Sequence, residues 1–300
     1  MFVITGATGN TGSAAAERLL ASGQKVRVVG RDAKRLERFA QRGAEAFIAD
    51  VTDTAALTRA FEGARGVYVL IPPNWSVPEV RPFQEKVSDS IAAALDKAKV
   101  SYAVALSSFG ADKAEKTGPV VGLHSLEMKL NSIGSLNVLN LRAGYFMENL
   151  LAQVSIIQNF GMVAGPVRGD LRLPFIATRD IGAYAADALA RLNFNGKQTH
   201  ELQGQRDATY NEIAGMMGSA IGQPGLRYQQ LPDAQVKPAL MQIGFSPNMV
   251  DLLLEMAHSL NSGYMAALEP RSLGNTTPTS IEEFVATEFV PRFQGKIAAA

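Results

Sequence analysis

A chain of 300 residues with 47% apolar side chains can fill one large α/β core, or a core with a smaller lobe, which speaks against extended disorder. The formal net charge of +1, with no dense Lys/Arg block, provides no field for drawing in nucleic acid or an anionic membrane. The absence of cysteine removes disulfides, thiolate metal sites and a cysteine nucleophile together.

The first β-branched run, residues 2–5, begins one residue after Met1 and leaves no room for a cleavable signal. No apolar run approaches the roughly 18 residues a bilayer span requires, so a cytoplasmic chain without membrane contact is expected. Further runs at 25–29, 44–48, 66–71, 102–106 and 136–141 each predict one buried strand. Between them, 13–21, 33–41, 55–62 and 80–97 carry apolar residues at helical spacing. Asp53 stands as a cap and Gly63 as a stop for the third of these helices. Strand and helix alternating at this interval imply crossovers, and crossovers imply a parallel sheet.

Beyond about residue 142 the rhythm loosens. Helices are predicted at 147–159, 181–192, 210–221, 233–243 and 248–260, with strand-like pieces at 171–176 and 199–202. The stretch 269–280, rich in Pro, Gly, Asn and Thr, reads as a loop before a last helix at 281–289. The chain thus divides into a core over 1–150 and a smaller, mostly helical lobe over 151–300. Segments near 171–203 are expected to return to the core.

The turn Gly6-Ala7-Thr8-Gly9-Asn10-Thr11-Gly12 leaves the first strand and opens a helix. Such a turn exposes unpaired N–H groups at the positive end of the helix dipole, where a pyrophosphate fits. Gly6 permits the tight bend, Gly9 the close approach of phosphate, and Gly12 the packing of helix on strand. The whole predicts a Rossmann-type doubly wound α/β sheet binding a dinucleotide through Gly6, Thr8, Gly9, Asn10, Thr11 and Gly12.

NAD-preferring sheets of this kind end the second strand in a carboxylate that bonds the ribose diol. Here the strand ends in Gly30-Arg31-Asp32, with Lys34 and Arg35 close behind. Arg31 either grips a 2′-phosphate, or solvates the next helix and pairs with Asp32. The first reading predicts NADP(H) in preference to NAD(H). Asp50-Val51 closes the third strand, where Asp50 reaches the adenine amino group or serves as a turn residue. Ile71-Pro72 ends the fourth strand at the edge where ligands of such sheets bind.

With this turn, Arg31, Asp50-Val51, Ser107-Ser108 and Leu141-Arg142-Ala143-Gly144-Tyr145-Phe146-Met147-Glu148-Asn149, the chain resembles the NmrA-like family of atypical short-chain dehydrogenases/reductases. The likeness is clearest over 1–150. Thr178-Arg179-Asp180-Ile181-Gly182 resembles the family's later segment, which closes over the nucleotide-binding core. The family includes NAD(P)H-dependent quinone- and azo-type reductases, isoflavone-reductase-like enzymes and nucleotide-sensing regulators.

Ordinary short-chain dehydrogenases place a Tyr and a Lys four residues apart on one helix. The resemblance matches Lys129 to that lysine, but Ser125 stands where the Tyr would be. A serine hydroxyl is a far poorer acid, so the usual dyad is absent. Two functions follow. In one, an NADPH-dependent reductase passes hydride to a small flat electrophile (quinone, activated alkene, imine or azo compound). Lys129 then holds the ribose, and His124 or water supplies the late proton. In the other, the chain is a catalytically silent NADP(H) sensor with a protein partner. A sugar-nucleotide epimerase is weaker, because it also relies on the missing Tyr. Lys129 alternatively snorkels at the surface, and His124 is alternatively structural. Ser107 touches nicotinamide or satisfies strand-end backbone. Tyr145, Phe146, Glu148 and Asn149 are expected to face the reacting ring or, for Phe146, to fill core. His124, His200 and His258 are too scattered for a zinc site, and no metal is expected.

Overall fold

Each β-branched run in the first half becomes a strand of one parallel sheet in the computed structural model, which describes residues 1–296. In chain order these are β1 (Phe2–Thr5), β2 (Val26–Gly30), β3 (Glu45–Ile48), β4 (Gly66–Val69), β5 (Tyr102–Ser108) and β6 (Asn137–Ala143). Crossovers run through α1 (Asn10–Ala21), α2 (Ala33–Ala40), α3 (Thr54–Phe61), α4 (Val80–Lys97) and α5 (Val121–Ser132). The last four residues of the expected lobe, 297–300, lie outside the described residues.

After β6 come the short strands β7 (Tyr145–Phe146), β8 (Val163–Gly165) and β9 (Leu173–Ile176), then α7 (Thr178–Arg191) and β10 (Lys197–Leu202). The last of these rejoins the large sheet beside β6, giving the order β10-β6-β5-β4-β1-β2-β3. Helices α1, α2 and α7 bury one face of the sheet around Ile4, Val28, Tyr68 and Leu141. The opposite face takes α3, α4 and α5 around Val3, Val67, Ala105 and Val138. Buried on both sides, the strands read as continuous apolar runs, as doubly wound sheets do.

The lobe has its own core around Met147, Phe175, Ile213, Met217, Phe284 and Phe289. It is built from α6 (Gln153–Phe160), α8 (Tyr210–Ala220), α9 (Asp233–Gln242) and α10 (Pro247–Asn261). A final run follows: α11 (Ile281–Phe284), a π-helical turn at Val285–Phe289 and α12 (Val290–Phe293). Two small sheets accompany it. One pairs β7, β9 and β11 (Asp207–Ala208), and the other pairs β8 with β12 (Tyr228–Gln230). The helix expected over 147–159 is two pieces, a 3-10 helix at Met147–Ala152 and then α6.

The loop at 269–280 straps the outer side of β10. Gln203 N–H donates to Asn275 O at 2.8 Å, and the Glu201 carboxylate accepts from the N–H groups of Leu268 and Glu269. An edge strand that would otherwise offer free backbone groups is thereby covered. Among the described residues no helix is long and apolar enough to cross a membrane.

Helices α1 and α7 approach each other at Gly182. A methyl group there would lie 2.5 Å from both Thr11 O and the Ala14 Cβ. Gly182→Ala should therefore cost about 1–3 kcal/mol, the usual size of an overpacking penalty. Gly134→Ala, whose added methyl meets nothing within 4 Å, serves as the control. Urea unfolding of both variants is the measurement, and equal midpoints would contradict the tight α1–α7 contact.

Candidate functional site

The site begins where β1 ends. Gly6 turns the chain at φ +62°, with the Leu70 side chain packed 3.0 Å from where a Cβ would stand. Gly9 N–H closes the bend on Gly6 O at 2.9 Å. A Cβ on Gly12 would fall 2.4 Å from Gly6 O and 2.9 Å from Thr5 O, so only glycine lets α1 sit so close to β1. The first helical bond of α1 is Ser13 N–H to Gly9 O, and no side chain caps the helix. The N–H groups of Asn10, Thr11 and Gly12 therefore precede the hydrogen-bonded ladder, at an exposed rim formed by Gly9 and Asn10. This is a cradle for an anion, and any side chain at Gly12 would close it.

Arginines border the turn. Arg35, on α2, donates through Nη2 to Thr8 O at 2.9 Å, and Arg38 reaches Ser13 Oγ at 2.7 Å. Arg31, at the end of β2, keeps its side chain 77% exposed, with Nη1 3.9 Å from Asp50 Oδ2. Asp32 does not pair with it; the Asp32 carboxylate caps α2 through the N–H groups of Lys34 and Arg35. Gly30 leaves room beside the Thr8 methyl, 3.5 Å from where its own Cβ would be. Asp50 takes a turn role, with Oδ1 accepting from both Thr52 N–H and Thr52 Oγ1 at 2.8 Å. Partial burial by itself would raise its pKa, but the Thr52 bonds and Arg31 outweigh that and hold it below the ordinary value. Val51, Ile71 and Pro72 stand half-buried around the same edge.

Ser107 lies at the carboxyl end of β5, 2% exposed, and donates to Glu127 Oε1 at 2.5 Å. Arg142, its register partner on β6, grips the same carboxylate in a fork, Nε to Oε1 at 3.0 Å and Nη2 to Oε2 at 2.6 Å. The Glu127 side chain is only 5% exposed, so the ion pair is internal and its polar groups are satisfied by one another. Glu127 thus faces the strand ends from α5. Lys129, two residues on and about 200° around the helix, turns to α4, where it meets Glu85 at 2.5 Å and Asp89 at 2.6 Å. The two carboxylates outweigh desolvation and raise its pKa. Lys129 and the glycine turn are not brought together. His124, half-buried on α5, places Nδ1 2.8 Å from Ala111 O and anchors the segment after β5.

Of the four residues expected at the reacting ring, Phe146 is partly buried against the core on the α1/α7 face of the sheet, and Asn149 is exposed. Tyr145 turns into the lobe, edge-on to Phe175 and Tyr210 at 5.4 and 6.2 Å between ring centroids. Glu148 caps α7. Its carboxylate accepts from Thr178 N–H at 3.0 and 3.1 Å and from Thr178 Oγ1 at 2.5 Å. Glu127, Arg142, Arg35 and Arg38 had not been assigned roles from sequence. A carboxylate in line with Leu123 and Leu130 on the apolar stripe of α5 was the available signal for the first two.

The sequence model of the NmrA-like family matches residues 1–285. A (4-alkanoyl-5-oxo-2,5-dihydrofuran-3-yl)methyl phosphate reductase of Streptomyces griseus is 27% identical over 272 residues, 90% of each chain. Quinone oxidoreductase 2 of Escherichia coli is 27% identical over 260 residues, 85% of this chain and 86% of its own. The crystal structure of an Escherichia coli NADPH-dependent quinone oxidoreductase complexed with NADPH superposes with a TM-score of 0.78. It is 25% identical and covers 96% of this chain and 100% of that one.

Burial raises the Glu148 pKa against the lowering pull of its Thr178 bonds. A carboxyl whose folded pKa lies above its unfolded one gives up stability as pH climbs from the unfolded value through the folded one. Glu148→Gln removes that slope. The difference in Tm between Glu148→Gln and wild type should shift toward the variant from pH 4 to pH 8. A gap that stays constant, or moves the other way, would show that the Glu148 pKa is not raised.

Proposed function

Because the chain belongs to the NmrA-like family, we propose that it is an NADPH-dependent reductase delivering hydride to a small, flat electrophile of the quinone, activated-alkene, imine or azo class. The observation that carries this reading is the uncapped N–H row of α1 over the turn at 6–12, with the largely exposed Arg31 guanidinium at the end of β2. The relatives are reductases, which supports an oxidoreductase, and one is bound to NADPH.

The residues present fit that cofactor. The N–H groups of Asn10, Thr11 and Gly12 would hold the pyrophosphate, and Gly6 and Gly9 keep side chains out of its way. Arg31 would take the 2′-phosphate as a bidentate partner, with Thr8 held in place by Arg35. Asp50 and Val51 would border the adenine, Ile71 and Pro72 the adjoining ribose, and Ser107 the nicotinamide side of the edge. Bound there, NADPH supplies the hydride. Phe146 and Asn149 would line the space for the acceptor, while Tyr145 and Glu148 shape it from behind by holding the lobe to the core.

The α5 helix favours an acceptor that needs little acid help. Lys129 is held by Glu85 and Asp89, and Glu127 by Ser107 and Arg142, so positioning carries most of the work asked of the protein. The same observation supports the second reading, a nucleotide sensor that binds NADPH without turnover.

Removing a charge-assisted phosphate contact typically costs about 1.5–3 kcal/mol, or roughly 10- to 100-fold in Kd. Arg31→Ala should weaken NADPH by that factor and leave NADH affinity near wild type, as measured by fluorescence titration. An unchanged NADPH affinity would count against the 2′-phosphate role. Following nicotinamide absorbance with a panel of quinones, azo dyes and enones then separates the two functions. Turnover with any acceptor supports the reductase, and tight binding with none supports the sensor.

A further inference from the structure

Between β4 and α4, residues 70–79 have no regular structure, and Pro72, Pro73 and Pro78 limit how the segment can bend. One end lies on the nucleotide turn, where the Leu70 side chain packs against Gly6. The other end is fixed to the lobe. Ser246 N–H donates to Trp75 O at 2.8 Å, and Val80 N–H to Asn248 Oδ1 at 2.9 Å. The Trp75 and Phe245 rings meet with centroids 5.2 Å apart and planes tilted by 35°. Val80, Met249 and Leu252, with Val77 and Phe245 against them, form a small apolar cluster separate from both main cores.

The indole is nevertheless 45% exposed, an unusual place to leave the largest apolar side chain in the sequence. The turn that carries Phe245, made by Gly244 at φ +98°, also exposes Met241 and Ile243, the latter by 70%. Trp75 on this segment and Met241, Ile243 and Phe245 around the α9–α10 turn therefore leave apolar surface partly open where the two meet. Ligands of doubly wound sheets sit at the carboxyl edge from which this segment departs.

We propose that Trp75, backed by Phe245, is the residue that selects the acceptor by the extent of its fused flat rings. This deepens the reductase reading above and rests on it. With Trp75 45% exposed beside Phe245, indole surface remains for a further ring, and a planar acceptor with two fused rings overlaps it more fully than one with a single ring. Polar or non-planar acceptors gain nothing from it. The clasp also ties acceptor choice to the lobe, because the loop position depends on the Ser246 bond.

Trp75 is the sole tryptophan in the chain, so its emission reports on this position alone. Titrating NADP⁺-loaded protein with a naphthalene diol, which cannot accept hydride, should quench that emission saturably; a benzene diol should quench it less. In kinetics, Trp75→Leu should raise KM for a naphthoquinone about three- to tenfold relative to a benzoquinone, the size expected of one aromatic contact. Trp75→Phe should restore the ratio, and NADPH affinity should stay at the wild-type value in both. Equal shifts in the two KM values, or emission indifferent to the naphthalene diol, would overturn the proposal. Failure of wild-type protein to reduce any acceptor would instead remove the reductase reading, and the emission titration would still decide whether flat aromatics meet Trp75.

Discussion

The carboxyl edge of the sheet depends on how closely α1 can lie on β1. The Gly12 α-carbon stands so near the carbonyls of Gly6 and Thr5 that no side chain fits there, and Gly182 lets α7 press on α1 from the far side. With the helix seated this deeply, its first N–H groups open on the exposed rim at Gly9 and Asn10 rather than against protein. No side chain among the described residues caps them. Two arginines of α2 then tie the following crossover to the turn, and the third, Arg31, stays 77% exposed with only a long contact to Asp50. A single close approach thus sets the anion cradle, the position of α2 and the exposed charge beside them.

The lobe is held to this core largely by carboxylates that accept from distant backbone. Glu148 caps α7, Asp180 accepts from Thr279 N–H and Oγ1, Glu201 from Leu268 and Glu269, and Glu255 from Gly118 N–H. Bonds from N–H to a charged acceptor are stronger than neutral ones, and each here spans a long stretch of sequence. Apolar packing fills both cores, but these bonds decide how the strap at 269–280 and the segment after β5 are placed.

The same distinction explains what the sequence could and could not disclose. Strands β1 to β6 and the helices α1 to α4 follow from local periodicity, and α4 has the predicted limits, 80–97. The short strands β7, β8, β11 and β12 have no such signature, because two or three residues cannot establish a period. Their pairing comes from where β9 and the lobe helices happen to bring them. The glycine turn was legible because its constraint is local and steric. The α5 site was not, since a match by spacing picks out Lys129 while helical phase decides which side chain reaches the strand ends. Leu123, Glu127 and Leu130 share one face, and the charge among them has its answer in Arg142 on β6, far enough along the chain that no motif joins the pair.

That internal pair constrains the chemistry. Glu127 is occupied by Ser107 and Arg142, and Lys129 is drawn to α4, so neither is free to assist a proton. His124 sets Nδ1 against a carbonyl, which selects the tautomer with its proton on that nitrogen. A neutral ring then has no proton at Nε2 to give. For the reductase proposed above, the late proton would come from water, and it need not accompany hydride transfer. Simple ketones would be poor acceptors for such a reductase, because their alkoxide needs a proton as it forms. A quinone spreads the arriving charge over its own ring and oxygens, and can wait.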